Sequence, residues 1–409
     1  MYFLDRISVM YNEYLSHFIK KLMGTAELLI FRWRVLPLLH HLYSSVYLIK
    51  GKEKHGRVDI TILFYGDENS LSYINNILFS KKPKIEEVER CFIFNIEKNL
   101  SEFANEIDAV FIKTDRIFTG FLQKKKFFTI PEWVEMELDV SGSLDTIYKN
   151  FKKSAREDIK KIKKMGYSYE ISTDPDKLEL FYNNMHLPYI SEKYEKENLS
   201  LASFYDVKMS FKKGKLLLIK DSDKYVSGLV FEIHNKTAYP VYPGVSMTDG
   251  GLDYHLLRGA GAAIYYYSII WAKDNGIKSM VWGNCRSFPN NGIFRFKRKW
   301  GMHIKLSRIL FGVFGFKFYN HSISIQEFLA NNPFIYIEKD QLKGFISVKK
   351  DGQLNNKEVQ HLLKTYYTPG LTELNISAPN GFTQDAKTYS SLSNDEKNFY
   401  TILTDMVKK

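Results

Sequence analysis

Two stretches of this chain hold residue types that could act on a substrate. Arg258, Gly259, Ala260, Gly261 and Ala262 open a long apolar helical run with almost no side-chain bulk. The first N–H groups of a helix have no intrahelical partner and sit at the positive end of its dipole, so a bulk-free start lets them approach a pyrophosphate. The same small residues would equally let the helix pack close to a sheet. General bases are available nearby in Asp253, His255, Glu232 and His234, with Asn284, Arg286 and Ser287 in a second loop. None is singled out by spacing. Cys285 could be a nucleophile, but no partnered histidine accompanies it. With Cys91 it makes up the whole cysteine complement, and neither sits in a CxxC or metal-like spacing. A disulfide framework and a metal centre are therefore not expected, and a reducing, cytoplasmic setting is.

The elements that must hold these residues read as α/β. Phe3, Ile7, Met10, Tyr14, Phe18 and Leu22 recur at helical spacing up to Gly24, and a second helical stretch is expected to run to Ser44 or Ser45. The first residues lack a basic region followed by a clean apolar run, so no secretory signal is expected. Arg32, Arg34, Pro37, His40 and His41 interrupt the greasiest region, which falls short of a membrane span. Arg32, Trp33, Arg34, Tyr43 and Tyr47 leave two readings of residues 1–50: peripheral contact with a membrane, or a helical hairpin packed on its own domain. Short β-branched or aromatic runs at 58–65, 91–96 and 109–112 predict strands of a small α/β domain, and 134–140 a last strand with one acidic face. Leu144, Ile147, Phe151, Ala155, Ile159 and Ile162 then form a helical stripe ending at Gly166, with eight Lys or Arg between Lys149 and Lys164 on the other side. That basic face is either solvated or holds an anionic substrate.

Further along, strands are expected at 215–220, 225–234 and 238–242, the last two joined by a tight turn at Asn235 and Lys236. A helix at 256–275, a strand at 279–282, a helix at 291–300 and a strand at 309–317 complete a mixed sheet covered by helices. The domain expectation is 1–50 as N-terminal amphipathic helices, 51–143 as a small α/β region, 144–319 as the main unit and 320–409 as a C-terminal α/β appendage. Within the appendage a helix is predicted at 357–366 and another across 390–409.

The strings YPVYPGVS and YHLLRGAGAAIYYYSIIWAKDNGIKSMVWGNCRSFPNNGIFRFKRKWG resemble, in order and spacing, the C-terminal half of Fem-type peptidyltransferases and their acyl-CoA relatives in the GNAT superfamily. Those proteins share a strand ending in Tyr-x-Gly-Ser, a helix opening at a small-residue cluster, a strand ending at Gly, and a closing Gly-(Ile/Leu)-x-x-Phe-Lys-x-x-(Trp/Phe)-Gly. The upstream SAREDIKKIKKMG resembles the family's Arg-x-x-Ile helix. The resemblance implies a GNAT-like mixed β-sheet flanked by helices over 144–319. It implies that Gly244, Val245 and Ser246, with Tyr242, lie where the central strand splays and backbone donors hold the acyl carbonyl. Tyr242 would then give a proton to the leaving group, and Lys297, beside Phe296, would neutralise charge developing at the transferred carbonyl. His255 completes the expected catalytic set. Arg258 to Ala262 would hold coenzyme A, and Arg156, Asn284, Arg286 and Phe296 the substrate.

The chain carries 58 Lys and Arg against 46 Asp and Glu, a net charge of +12 that gathers anions. The leading expectation is an N-acyltransferase that moves an acyl group from acetyl-CoA or another acyl-CoA to an amine on a small molecule, an amino sugar or a lipid-linked acceptor. The second is a Fem-like transferase using aminoacyl-tRNA, and a third, of another class, is a non-catalytic anion- or membrane-binding GNAT-fold module. DNA is not an expected partner. The first 140 residues show no clear GNAT copy, no coiled-coil arm for a transfer RNA is visible, and the C-terminal appendage has no counterpart in the resemblance.

Overall fold

The computed structural model of the 409-residue chain describes residues 41–194, 202–248, 250–307, 312–319, 322–349, 354–377 and 400–403. The expected helix up to Gly24 lies outside the described residues. So does the expected last helix, except for residues 400–403, which are a strand.

The described residues begin with the antiparallel pair β1 (Tyr43–Lys52) and β2 (Asp59–Gly66), followed by α1 (Glu68–Leu78) and β3 (Lys84–Phe92). A helix was expected to run to Ser44 or Ser45, where the strand β1 has already begun. Ser44 to Ile49 are buried without a break, and a central strand covered on both faces accounts for that better than one stripe of a helix. Helix α2 (Ile96–Phe103), β4 (Ala109–Asp115), α3 (Thr119–Lys124), β5 (Phe128–Pro131) and β6 (Trp133–Asp139) follow. The strand expected at 91–96 stops at Phe92, because Ile93–Asn95 turns as a single 3₁₀ turn into α2.

Then come α4 (Leu144–Lys149), α5 (Lys153–Met165), β7 (Ser168–Ser172) and α6 (Pro175–Phe181). A π-helical turn over Tyr182–His186 leads into α7 (Leu187–Tyr194), and α8 (Phe204–Lys212) into β8 (Gly214–Asp221). In α5, Ala155, Ile159 and Ile162 are buried at helical spacing, and Gly166 ends the helix in the left-handed conformation at φ +70°. Strands β9 (Lys224–His234) and β10 (Thr237–Val245) extend the meander. Next are α9 (Gly251–Leu257), α10 (Ala260–Asp274), β11 (Ser279–Arg286), α11 (Gly292–Arg298) and β12 (His303–Leu306). One helix was expected over 256–275, but Gly259 at φ +92° breaks it in two. The last described elements are β13 (Gly312–Phe318), α12 (Ile323–Asn331), β14 (Phe334–Glu338), β15 (Gln341–Ser347), α13 (Asn356–Tyr366), β16 (Glu373–Ser377) and β17 (Tyr400–Leu403).

These strands form two mixed sheets, in the orders β17-β16-β15-β14-β5-β13-β4-β2-β1-β3 and β12-β6-β11-β10-β9-β8-β7. The second is the GNAT-like sheet flanked by helices, with an antiparallel β7-β8-β9-β10 meander that passes to β11 through a parallel contact. The two sheets exchange strands. β6, expected to close the N-terminal unit, lies in the second sheet between β12 and β11, while β13, expected to complete that sheet, pairs with β4 and β5 in the first. The expected boundaries at residues 143 and 319 therefore cut through shared structure. The expected C-terminal appendage is no separate unit, since β14 to β17 extend the first sheet. Aromatic packing explains the reassignment of β13: Phe316 lies 4.7 Å from Phe111 of β4 and 5.7 Å from Phe334 of β14, between ring centroids.

Candidate functional site

The second sheet opens where β10 meets β11. The two strands pair in parallel only at Thr237 with Ser279 and Ala238 with Met280, yet β10 continues to Val245 and β11 to Arg286. Beyond Ala238, β10 is in effect an edge, which is why two prolines, Pro240 and Pro243, can stand in it without breaking a ladder. Its register on β9 slips between Pro240 and Tyr242, and that of β11 on β6 slips between Val281 and Asn284, where Gly283 sits at φ +69°. Bulges on both strands at the same level widen the gap. Backbone groups left unpaired there can receive an extended, amide-bearing ligand as a further strand.

Lys297, the expected charge-neutralising residue, lies beside this opening and is 8 % exposed. Its Nζ donates to the carbonyl oxygens of Trp282 at 2.5 Å, Asn284 at 3.1 Å and Gly283 at 3.4 Å. The ammonium is thus spent on carbonyls that the bulge in β11 turns out of the ladder, and burial lowers its pKa. It holds the wall of the opening in shape. Cys285, next along the strand, is buried and its thiol is pushed up to about 12 by burial, so it is an inert core thiol.

On the other side of β10 the structure brings together two groups with acid–base chemistry, one of which the sequence did not single out. His186 ends the π-helical turn, is 4 % exposed, and its Nδ1 lies 2.7 Å from the carbonyl oxygen of Pro243. A carbonyl only accepts, so Nδ1 carries the proton and Nε2 keeps a lone pair. Burial lowers the pKa of His186 against a smaller opposing effect of the Pro243 bond, which leaves the ring neutral near pH 7. The Tyr242 ring meets it edge-on with centroids 5.4 Å apart. Burial raises the pKa of Tyr242 against a smaller opposing effect of its hydrogen bond with Ser210, so its hydroxyl stays protonated. Gly244 makes this contact possible: a Cβ there would lie 2.7 Å from the His186 backbone nitrogen and 2.8 Å from the Met185 carbonyl carbon. Its lack of a side chain serves the packing of the π-helical turn on β10. A π-turn is often found at functional sites, but no sequence period marks one, which is why His186 was not legible.

The remaining expected site residues are placed as follows. Val245 is fully buried in the core, and Ser246 is committed, its N–H to Val226 and its hydroxyl to Thr248 Oγ1 at 2.8 Å. His255 is 4 % exposed with Nε2 2.7 Å from the Thr248 carbonyl oxygen, and its Nδ1 is enclosed without a partner. That tautomer turns its only lone pair into the protein, so His255 is not presented to a substrate. Arg258 is drawn away from the start of α10 by Asp221, 2.8 Å from its Nη2, and lies over the Tyr254 ring at 5.0 Å. Gly259, Ala260 and Ala262 are buried, Gly261 half-buried, and a Cβ on Gly259 would face Lys161 and Ile162 of α5. The small residues thus serve close packing of α10 against α5, the reading that had competed with phosphate binding. Arg156 caps the Phe151 carbonyl at 2.8 Å. Asn284 has its Oδ1 buried without a partner beside the opening. Arg286, at the tip of β11, is sandwiched between the rings of Tyr73 at 4.0 Å and Trp133 at 3.9 Å and paired with Glu132 at 2.8 Å. Phe296 packs against Tyr265, 5.0 Å between centroids. Among the described residues no cluster of His, Cys, Asp and Glu could hold a metal ion, and no helix is long and apolar enough to cross a membrane.

No family model matches the sequence, and no curated protein matches it. Among solved structures the chain is similar to FemX, at 13 % identity over 63 % of this chain and 80 % of that one, with a TM-score of 0.34. It is also similar to L-PGS from Bacillus licheniformis, at 12 % identity over 69 % and 85 % of the two chains and a TM-score of 0.32. A tandem GNAT protein from the clavulanic acid biosynthesis pathway stands at 12 % identity over 60 % and 78 %, with a TM-score of 0.27. Values of this size describe distant likenesses.

Proposed function

We propose that the chain is an N-acyltransferase that binds a CoA thioester in the opening between β10 and β11 and passes the acyl group to an amine approaching from the side of the π-helical turn. The observation that carries this reading is the divergence of the two strands with His186 and Tyr242 packed together on one of them. The pantetheine arm of coenzyme A is a linear chain with two amides, the kind of ligand an interrupted ladder can pair with. As the amine nitrogen attacks the thioester carbonyl, Nε2 of neutral His186 takes its proton. The tetrahedral intermediate collapses by breaking the carbon–sulfur bond, and the protonated Tyr242 hydroxyl supplies the proton to the departing thiolate. Lys297 is a positioning residue: it keeps Trp282, Gly283 and Asn284 turned so that the opening exists.

The test is release of free thiol from acetyl-CoA and longer acyl-CoAs over a panel of amines. Wild type should turn over at least one pair, and His186→Gln should lower kcat/KM by roughly 10²- to 10⁴-fold. A His186→Gln enzyme that folds and works at the wild-type rate removes this mechanism.

An aminoacyl-tRNA donor is the second reading, favoured by the exposed Lys153, Arg156, Lys160, Lys161, Lys163 and Lys164 along α5. Nearby acids offset them only in part, Glu157 lying 3.8 Å from Lys153. Such a donor would bind with an affinity that falls steeply with salt, whereas CoA affinity would fall far less.

A further inference from the structure

Arg298, the last residue of α11, is 9 % exposed, and its Nε and Nη1 are buried without a hydrogen-bond partner. A buried guanidinium is nearly always paired, because taking an unpaired charge out of water is strongly unfavourable. Here the neighbours are also cations. Lys152 and Arg298 repel each other, Arg295 adds to the charge on Arg298, and Lys364 to that on Lys152. Burial and those like charges lower the pKa of Lys152 to about 8 and that of Arg298 to about 10. Of the carboxylates on α5, Asp158 is paired with Lys299 at 2.5 Å and Glu157 with Lys153.

The backbone converges on the same point. Lys152 is the N-cap residue of the 13-residue α5, whose first turn holds no acid and has no side-chain cap, and the Lys152 N–H bonds the Lys299 carbonyl at 2.9 Å. The positive end of α5 therefore abuts the end of α11. Some compensation comes from the Phe294 ring, 5.9 Å from the Arg298 guanidinium, from Tyr366, and from the end of α13, where Lys152 Nζ donates to the Lys364 carbonyl at 3.0 Å. That bond uses Lys152 and leaves Nε and Nη1 of Arg298 unmet.

We propose that the junction where the start of α5, Arg298 and the end of α13 meet is a binding site for the terminal phosphate or diphosphate of a small molecule. It is separate from the opening between β10 and β11. A phosphate group supplies what this junction lacks, two negative charges and oxygens that accept from a guanidinium in pairs. The buried placement of Nε and Nη1 selects a small terminal anion over a phosphate inside a polymer backbone.

The test measures thermal stability of the full chain against inorganic phosphate and against pyrophosphate, with chloride adjusted to constant ionic strength. Wild type should gain stability as RT ln(1 + [L]/Kd), and the anion that acts at lower concentration identifies a mono- or diphosphate ligand. Arg298→Met should bind the better anion roughly tenfold or more weakly, the size expected for losing hydrogen bonds to a charged group. It should be at least as stable as wild type in chloride alone, because an unpaired buried cation has been removed. Lys364→Gln, a change at an exposed position, should weaken the same binding without unfolding the protein. If neither anion stabilises wild type beyond chloride, or if wild type and Arg298→Met respond equally, the proposal is overturned. Loss of stability in Arg298→Met without any anion would also overturn it, by showing that the end of α13 already satisfies the guanidinium.

Discussion

His186 is the residue on which the chemistry turns, and its environment fixes the sign of its pH dependence. Burial holds its pKa below the ordinary value of 6.5, and the working form is the neutral one. The acid limb of kcat/KM should accordingly lie below pH 6.5 and disappear in His186→Gln, which a pH–rate profile of the two proteins would check. The same shift acts on stability. The unfolded chain protonates His186 at its ordinary value and the folded one only lower, so this contribution is present above 6.5 and lost as pH falls through the folded value. His255 shows how differently a histidine can be used: with Nε2 on a backbone carbonyl and Nδ1 enclosed, it tightens the loop after β10 and offers no lone pair outward.

At the scale of elements, the β10 strand and the π-helical turn form one device, joined through Gly244. Gly244→Ala would place a methyl group 2.7 Å from a backbone nitrogen, a contact that cannot be relieved by rotating a side chain. It should destabilise the fold by about 1–3 kcal/mol and lower turnover as well, because His186 must shift with the turn. Denaturant unfolding combined with the thiol assay measures both effects. The strings around 240–246 and 292–301 pointed to this part of the sheet because proline, glycine and aromatic spacing is local information. Their individual roles were less legible. Gly244, Gly259 and Ala260 signal close approach, but a sequence does not say whether ligand or protein does the approaching, and here α5 and the π-turn do. Likewise the start of β1 was read as the end of a helix, since a short run buried on both faces has no period to tell it from one.

At the scale of the whole molecule, the exchange of β6 and β13 makes two sheets mechanically interdependent, and a charged pin fastens them where the opening ends. Lys113 of β4 and Arg286 of β11 both bind Glu132, the residue between β5 and β6. Burial opposes the charge on Glu132, but Lys113 and then Arg286 outweigh it and hold its carboxyl below the usual range. Its contribution is therefore present at neutral pH and lost as pH falls below the ordinary carboxylate value. Glu132→Gln, which leaves two cations facing each other, should cost roughly 3–5 kcal/mol at pH 7 and much less at pH 3, as denaturant unfolding at the two pH values would show. Strand exchange of this kind joins residues far apart in sequence, so composition and periodicity carry no trace of it. That is why the expected divisions at 143 and 319 fell inside shared structure.

Amide hydrogen exchange with and without acetyl-CoA distinguishes a CoA thioester lying along the unpaired stretch of β10 opposite β11 from one bound elsewhere. Exchange should slow in peptides covering residues 239–245 and 281–286, with the β8–β9 ladder unchanged. No change in those two segments at a saturating concentration of acetyl-CoA, or protection confined to other parts of the chain, would contradict binding along β10.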